Sequence, residues 1–304
     1  MPFVVKEFVV KEKTKAFLFL MNEMGYTQKE AQRLIARGRL QVNGEVMKHT
    51  AGYFEGTISF ICFEGVSRGL KPVFETSDFA IYDKPSGVLV HPQNRNTQYS
   101  MIDEAHAAYG REANITHRID QETSGLLLIS KHKESERELK WLFESREIQK
   151  SYLALVHGEF PDTLEVDAPI LRGEDESTIV RMVVRVHQDG KPSQTAFKRL
   201  CYYPELDMSL VECYPKTGRQ HQIRVHLFHV KHPIVGDPIY GQKEKDVLRF
   251  LDKELSPQER TELSGASRLM LHANELCFEH NSKFCIRSKA GFVEEALLAV
   301  QVKG

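Results

Sequence analysis

Thr116-His117-Arg118-Ile119-Asp120-Gln121-Glu122-Thr123-Ser124-Gly125-Leu126-Leu127-Leu128-Ile129-Ser130-Lys131 is the stretch around which this 304-residue chain is organised. Leu126 to Ile129 form an apolar run of the length of a buried strand, bounded by turn residues. The polar turn before it puts His117, Arg118, Asp120 and Glu122 at the strand's mouth. Loops mounted on a rigid strand commonly carry reactive groups. Two readings fit the spacing: a reactive loop, or a turn whose Asp120 caps backbone amides and whose Arg118 is solvated.

Outward from this stretch the pattern is strand-rich. Val73 to Asp83 alternates and ends at the turn Lys84-Pro85-Ser86-Gly87, after which Val88 to Val90 resumes. Residues 134–147 read as a polar helix that buries Leu139, Leu142 and Phe143. Strand-like runs follow at 152–156, 179–186, 195–202 and 207–214 without intervening helices, so an α+β fold on a mixed, mainly antiparallel sheet is expected. Residues 215–241 start at a Gly turn and enter a helix with Ile223, Leu227 and Val230 on one face, which Pro233 ends.

The front of the chain has a different character. Phe17, Leu18, Leu20, Met21 and Met24 recur at helical spacing up to Gly25, a C-cap residue. Thr27 with Glu30 has capping-box spacing for a second helix that buries Ala31, Leu34 and Ile35. Lys29, Arg33 and Arg37 line another face, with Arg39 just beyond. Such a row is either a solvated surface or a set of phosphate contacts. Asn43-Gly44 between alternating apolar positions signals a hairpin. Residues 1–65 therefore read as one domain, 66–72 as a linker and 73–304 as a larger body.

Lys and Arg number 41 against 42 Asp and Glu, so a polyanion partner would need a local patch. The five cysteines are odd in number and form no C-x-x-C pair, which argues against a disulfide framework and a cysteine-built zinc site and suits a cytoplasmic protein. No apolar run approaches the roughly 18 residues of a membrane span. A Gly-rich phosphate loop is absent, so no nucleotide cofactor is expected. His226, His229 and His232 recur every three residues; packing or phosphate contact is preferred to metal binding. Tyr152, at the start of a strand, reads alone as an amphipathic core-edge residue.

Taken together, these stretches resemble a known family. His117 to Leu128 resembles the signature of the RluA-type pseudouridine synthases, Asp83 to Pro92 their Lys-Pro-x-Gly element, and Lys150 to Ala154 their tyrosine element. Thr217 to Arg224 with His232 to Asp237 resembles a third element, and Leu271-His272-Ala273 a fourth. Gln32 to Ile35 and Gly38 to Gly44 look like the small alpha-L RNA-binding module of a small-subunit ribosomal protein.

The resemblance implies isomerisation of uridine to pseudouridine in RNA, without metal or cofactor, after the base is flipped into a pocket. It assigns Asp120 as the essential carboxylate, Tyr152 as the residue stacking on the flipped uracil, and Arg219 as the cation paired with Asp120. Arg118 would fill the vacated space or hold a phosphate, and Lys29, Arg33, Arg37 and Arg39 would bind RNA. Glu122 is left as a structural bystander. A monomer acting on large-subunit ribosomal RNA is expected, with transfer RNA as the alternative. A non-catalytic RNA-binding assembly factor and a metal-dependent RNA hydrolase are the competing classes.

Overall fold

The computed structural model describes residues 3–172 and 184–301. The chain divides into two compact units: Met1–Arg68 with Pro92–Tyr99, and Gly69–His91 with Ser100–Gly304.

In the first unit, Gly25 ends the Ala16–Met24 helix in the left-handed conformation, its N–H bonded to the carbonyls of Leu20 and Met21. Thr27 and Glu30 cap the Gln28–Ala36 helix reciprocally. Asn43 and Gly44, both at positive φ, turn Leu40–Val42 into Glu45–Val46. Phe19, Leu20, Ala31 and Ile35 on the helices pack against Leu40, Phe54, Ile58 and Phe60 on the sheet. One strand is unanticipated. Phe3–Lys15 runs antiparallel to Tyr53–Phe63, with Val4, Phe8 and Val10 turned to the core while Val5, Glu7 and Val9 are exposed. The alternation of residues 4–10 carried that signal.

The second unit is built, among the described residues, on a ten-stranded sheet. Its main path runs Thr163–Asp167, Gln194–Tyr203, Met208–Pro215, Gln149–His157, Leu271–His280, Ser124–Ser130, Phe79–Lys84 and Pro72–Glu75. Neighbours along it are antiparallel except Leu271–His280 and Ser124–Ser130, which are parallel. All seven residues of Ser124–Ser130 are buried. Leu126 and Leu128 pack with Leu139 and Leu142 of the Lys133–Glu144 helix. A larger cluster joins Leu153 and Leu155 to Ile223 and Leu227 of the Gln222–His229 helix.

Gly125 makes the parallel junction possible. It sits at φ +105°, and a Cβ there would lie 2.3 Å from the carbonyl oxygen of Ala273 and 2.5 Å from its nitrogen. Only glycine combines that conformation with that approach.

The structure changes several expectations. Val73 to Asp83 is two antiparallel strands rather than one, because Thr76 turns the chain and its hydroxyl accepts the N–H groups of Asp78 and Phe79. Val88 to Val90 is not a strand; Leu89 makes a single bridge to Ser100. Of the run at 179–186, Val184–Val186 is a strand and 179–183 lie outside the described residues. Cys277 and Cys285 face each other across adjacent antiparallel strands and form a disulfide, while Cys62, Cys201 and Cys213 are free. Cysteine count and motif spacing missed that pair because it depends on strand register. Among the described residues, no helix is long and apolar enough to cross a membrane.

Replacing Gly125 with Ala should lower the free energy of unfolding by roughly 3 kcal/mol, through backbone strain plus the clash with Ala273. Urea titration measures it, and a loss of less than about 1 kcal/mol would mean that the two strands can separate locally without cost.

Candidate active site

The loop before Ser124–Ser130 is fastened along its backbone. The Thr116 hydroxyl donates to the Leu128 carbonyl at 2.9 Å, and His117 Nε2 accepts the Leu128 N–H at 3.0 Å. Because that nitrogen accepts, His117 is neutral with its proton on Nδ1. Burial, aided by the nearby Lys150 charge, pushes its pKa down to about 3. The ring stacks on Phe143 at 4.4 Å between centroids.

On the other side, the Lys84-Pro85-Ser86-Gly87 turn grips residues 121 and 122. The Gln121 carbonyl accepts from the Gly87 N–H and from Lys84 Nζ, each at 2.9 Å. Gln121 Nε2 returns a bond to the Gly87 carbonyl, and the Ser86 hydroxyl donates to the Glu122 carbonyl at 2.6 Å. Lys84 is fully buried and also donates to the carbonyls of Pro85 and Val88. Burial lowers its pKa to about 7, with Glu122 and Asp120 opposing. Three carbonyl acceptors are satisfied together only by the ammonium form, which has three N–H groups.

Asp120 is left at the loop's tip, 27% exposed. Its Oδ2 lies 3.5 Å from Arg224 Nη1 and 3.9 Å from His221 Nε2. Arg224 is buried in the Gln222–His229 helix and held by fully buried Asp237 through two bonds of 2.8 Å. Burial alone would lower the Arg224 pKa; the charge and hydrogen bonds of Asp237 outweigh it and hold the guanidinium charged. Asp237 Oδ1 also accepts the N–H groups of Ile239 and Tyr240. Burial, followed by the charge of Arg224, depresses His221 to about 4, so it is neutral near pH 7.

Asp120 opens onto a groove of about 960 Å³ whose wall includes Tyr152, Arg118, Arg219 and Lys150. Tyr152 lies within the Gln149–His157 strand, opposite Cys213 and Ala273 on its two neighbours. Burial and the charge of Asp120 raise its hydroxyl pKa, so the phenol is protonated. The groove thus offers one partly exposed carboxylate, a protonated phenol and several cations. That set suits a polyanionic substrate with a flat base.

The RNA pseudouridylate synthase family matches residues 78–229. The chain belongs to the RluA-type RNA pseudouridine synthases. It is 37% identical over 279 residues to an uncharacterized RNA pseudouridine synthase of Helicobacter pylori (strain J99), covering 92% of each chain. It is 33% identical over 283 residues to ribosomal large subunit pseudouridine synthase C of Vibrio vulnificus, covering 86% of this chain and 84% of that one. Human RNA pseudouridylate synthase domain containing 1 shares the fold, with a TM-score of 0.58 at 22% identity over 77% of this chain and 95% of that one. The enzyme is therefore an isomerase of uridine in RNA.

Asp120, Tyr152, Arg118 and Arg219 all reach the groove. The expected pairing of Arg219 with Asp120 is corrected by the structure: Arg224 faces the carboxylate, and Arg219 Nε donates to the Pro192 carbonyl at 3.4 Å. Arg219 precedes the helix, in a turn held by Gln222, whose Oε1 accepts from the Thr217 hydroxyl and the Arg219 N–H. Sequence reasoning missed Arg224, His221 and Asp237. A signal existed: an arginine between Ile223 and Val225 on a buried helix requires carboxylates in the core.

The histidines are spoken for separately. His226 bonds Thr195 and the Ala168 carbonyl, His232 bonds the His157 carbonyl, and His229 is exposed. In the first unit Lys29, Arg33 and Arg37 are exposed, while Arg39 is half-buried with its guanidinium 4.5 Å from the Phe3 ring centroid. Burial and then the neighbouring charges of Arg95 and Arg37 lower the Arg39 pKa, which marks a cluster of three cations.

Lys84→Met would take the ammonium away from the Pro85 and Val88 carbonyls and leave the Gln121 carbonyl with only the Gly87 N–H, and should cost about 3 kcal/mol of stability in urea titration; a cost below about 1 kcal/mol would mean that water replaces the ammonium. The histidines predict a pH dependence. His117 and His221 stay neutral in the folded chain down to about 3 and about 4, whereas the unfolded chain protonates them near 6.5. Their contribution is fully present above pH 6.5 and is lost as pH falls, down to about 4 for His221 and about 3 for His117. The melting temperature of His221→Gln should fall less steeply over that interval than that of the wild type, and equal slopes would remove His221 from the account.

Proposed function

We propose that the enzyme converts uridine to pseudouridine in large-subunit ribosomal RNA, with Asp120 as the essential carboxylate. The observation that carries this reading is the partial pairing of Asp120. It faces the groove, and its guanidinium contact among the described residues, at 3.5 Å, comes from an arginine already held by another carboxylate. Asp120 is thus oriented in its charged form and still open to substrate.

In this reading the target uridine leaves its stack and enters the groove, where the Tyr152 ring lies against the uracil. The glycosidic bond to N1 breaks while the Asp120 carboxylate meets the electron-poor carbon. The uracil turns and is rejoined through C5. The proton displaced from C5 leaves, and N1 ends protonated, so the product is an isomer. The Tyr152 hydroxyl, held protonated, is positioned to take part in proton movement. Arg118 and Arg219 contact the backbone beside the flipped nucleotide. The first unit acts as an alpha-L RNA-binding module through Lys29, Arg33, Arg37 and Arg39. The ribosomal substrate is supported by the name of the Vibrio vulnificus relative, a ribosomal large subunit pseudouridine synthase.

Chemical mapping of pseudouridine in large-subunit ribosomal RNA treated with each variant tests the assignment. Asp120→Asn should form no product while keeping RNA affinity within about threefold of the wild type. Arg224→Met should slow single-turnover product formation by about 100-fold or more, the scale of losing a preorganised charged contact. Arg219→Met should mainly weaken RNA binding. Product from Asp120→Asn, or a larger rate loss in Arg219→Met than in Arg224→Met, would refute these roles.

A further inference from the structure

We propose that the Glu122–Arg260 ion pair is a positioning device for the Asp120 loop, resting on the reading that Asp120 carries the reaction. Glu122 Oε2 lies 2.6 Å from Arg260 Nη2, and the two side chains are only 17% and 13% exposed. Two charges so far out of water are tolerated when each answers the other, and removal of one partner leaves an uncompensated charge. Arg260 belongs to the Pro257–Ser264 helix, which is set by a Ser256–Glu259 capping box. The same Nη2 donates to the Gly236 carbonyl at 3.1 Å, and the Gly236 N–H bonds the Ser264 carbonyl at 2.7 Å. The guanidinium lies 5.2 Å from the Phe250 ring centroid.

These contacts close a circuit. Gly236 is followed by Asp237, which grips Arg224, which faces Asp120. From Asp120 the chain runs two residues to Glu122, and Glu122 returns through Arg260 to Gly236. The loop carrying the carboxylate and the turn carrying its cation's anchor are therefore tied to one guanidinium. Arg260 fixes the relative position of Asp120 and Arg224 without touching either. It also neutralises Glu122, whose charge would otherwise stand two residues from Asp120. The backbone contacts of Lys84 and Ser86 with residues 121 and 122 remain when the pair is broken, so the loop stays in place but loosens.

The test compares Glu122→Gln, Arg260→Met, Arg260→Lys and the Glu122→Gln/Arg260→Met double variant with the wild type. Asp120→Asn serves as reference, and the substrate is a ribosomal RNA fragment that the wild type modifies. Single-turnover rate, RNA dissociation constant and melting curve are recorded for each. Each neutralising single variant should lose about tenfold to a hundredfold in rate, the scale of a small misplacement of a reacting group, with the dissociation constant within twofold. The double variant should be no slower than the slower single, and Arg260→Lys should recover part of the rate because it keeps the charge.

Wild-type rates in the singles, additive losses in the double, or a deficit matched entirely by the unfolded fraction would each overturn the proposal. If Arg260→Met does not fold, Glu122→Gln and Arg260→Lys decide; if those also fail to fold, the pair is structural and the proposal fails. Activity in Asp120→Asn would instead sink the assignment of Asp120, a result independent of the pair.

Discussion

Burying an arginine in the core of the second unit is the constraint on which the site depends. Arg224 lies on a helix whose neighbouring positions, Ile223, Val225 and Leu227, are all buried hydrophobics. A lone guanidinium there would cost several kcal/mol of lost hydration. Asp237, itself fully buried, answers it with two oxygens, and the Asp237 carboxylate is in turn satisfied by backbone N–H groups. The arrangement fixes where the Gln222–His229 helix and the 236–240 turn can sit. It also leaves one guanidinium nitrogen, Nη1, aimed at Asp120.

A second constraint works on the opposite side of Asp120. The Lys84 ammonium cannot be solvated, so it collects carbonyl groups, and one of them belongs to the loop that carries Asp120. Gly125 admits the backbone of Ala273 to the strand that follows, and the short parallel ladder there joins residues 124–125 to 272–273. His272 Nδ1 bonds the Ser124 hydroxyl at the same junction. A rigid strand, a buried ammonium and a buried guanidinium thus meet at one loop, and rigidity of this kind is what holds a reacting group near its working geometry.

The local elements were legible in the sequence because their causes are local. The capping box at Thr27, the hairpin at Asn43-Gly44 and the apolar stripe of the helix expected at 134–147, observed at Lys133–Glu144, each rest on neighbours within a few positions. Asp120 and Tyr152 stood out only through resemblance, since a polar turn and a strand tyrosine have ordinary explanations. What stayed hidden was tertiary. Whether Arg219 or Arg224 meets Asp120 depends on the angle at which a helix leaves a turn, and five residues further on the guanidinium points into the core instead of across the groove. The Cys277–Cys285 pair and the contact between Glu122 and Arg260 likewise depend on segments far apart in the chain or on strand register.

In the proposed reaction, the unequal sharing of Arg224 between two carboxylates lets Asp120 be both held and reactive. A bidentate pair at 2.8 Å would occupy both oxygens of Asp120 and stabilise it at the expense of its attraction to a developing positive charge. Asp237 takes that geometry instead, and Asp120 receives a single longer contact. His221, neutral at 3.9 Å, adds no competing cation. The buried carboxylate saturates the arginine so that the exposed one is oriented but not neutralised, and the charge left unspent at Asp120 is available to the substrate.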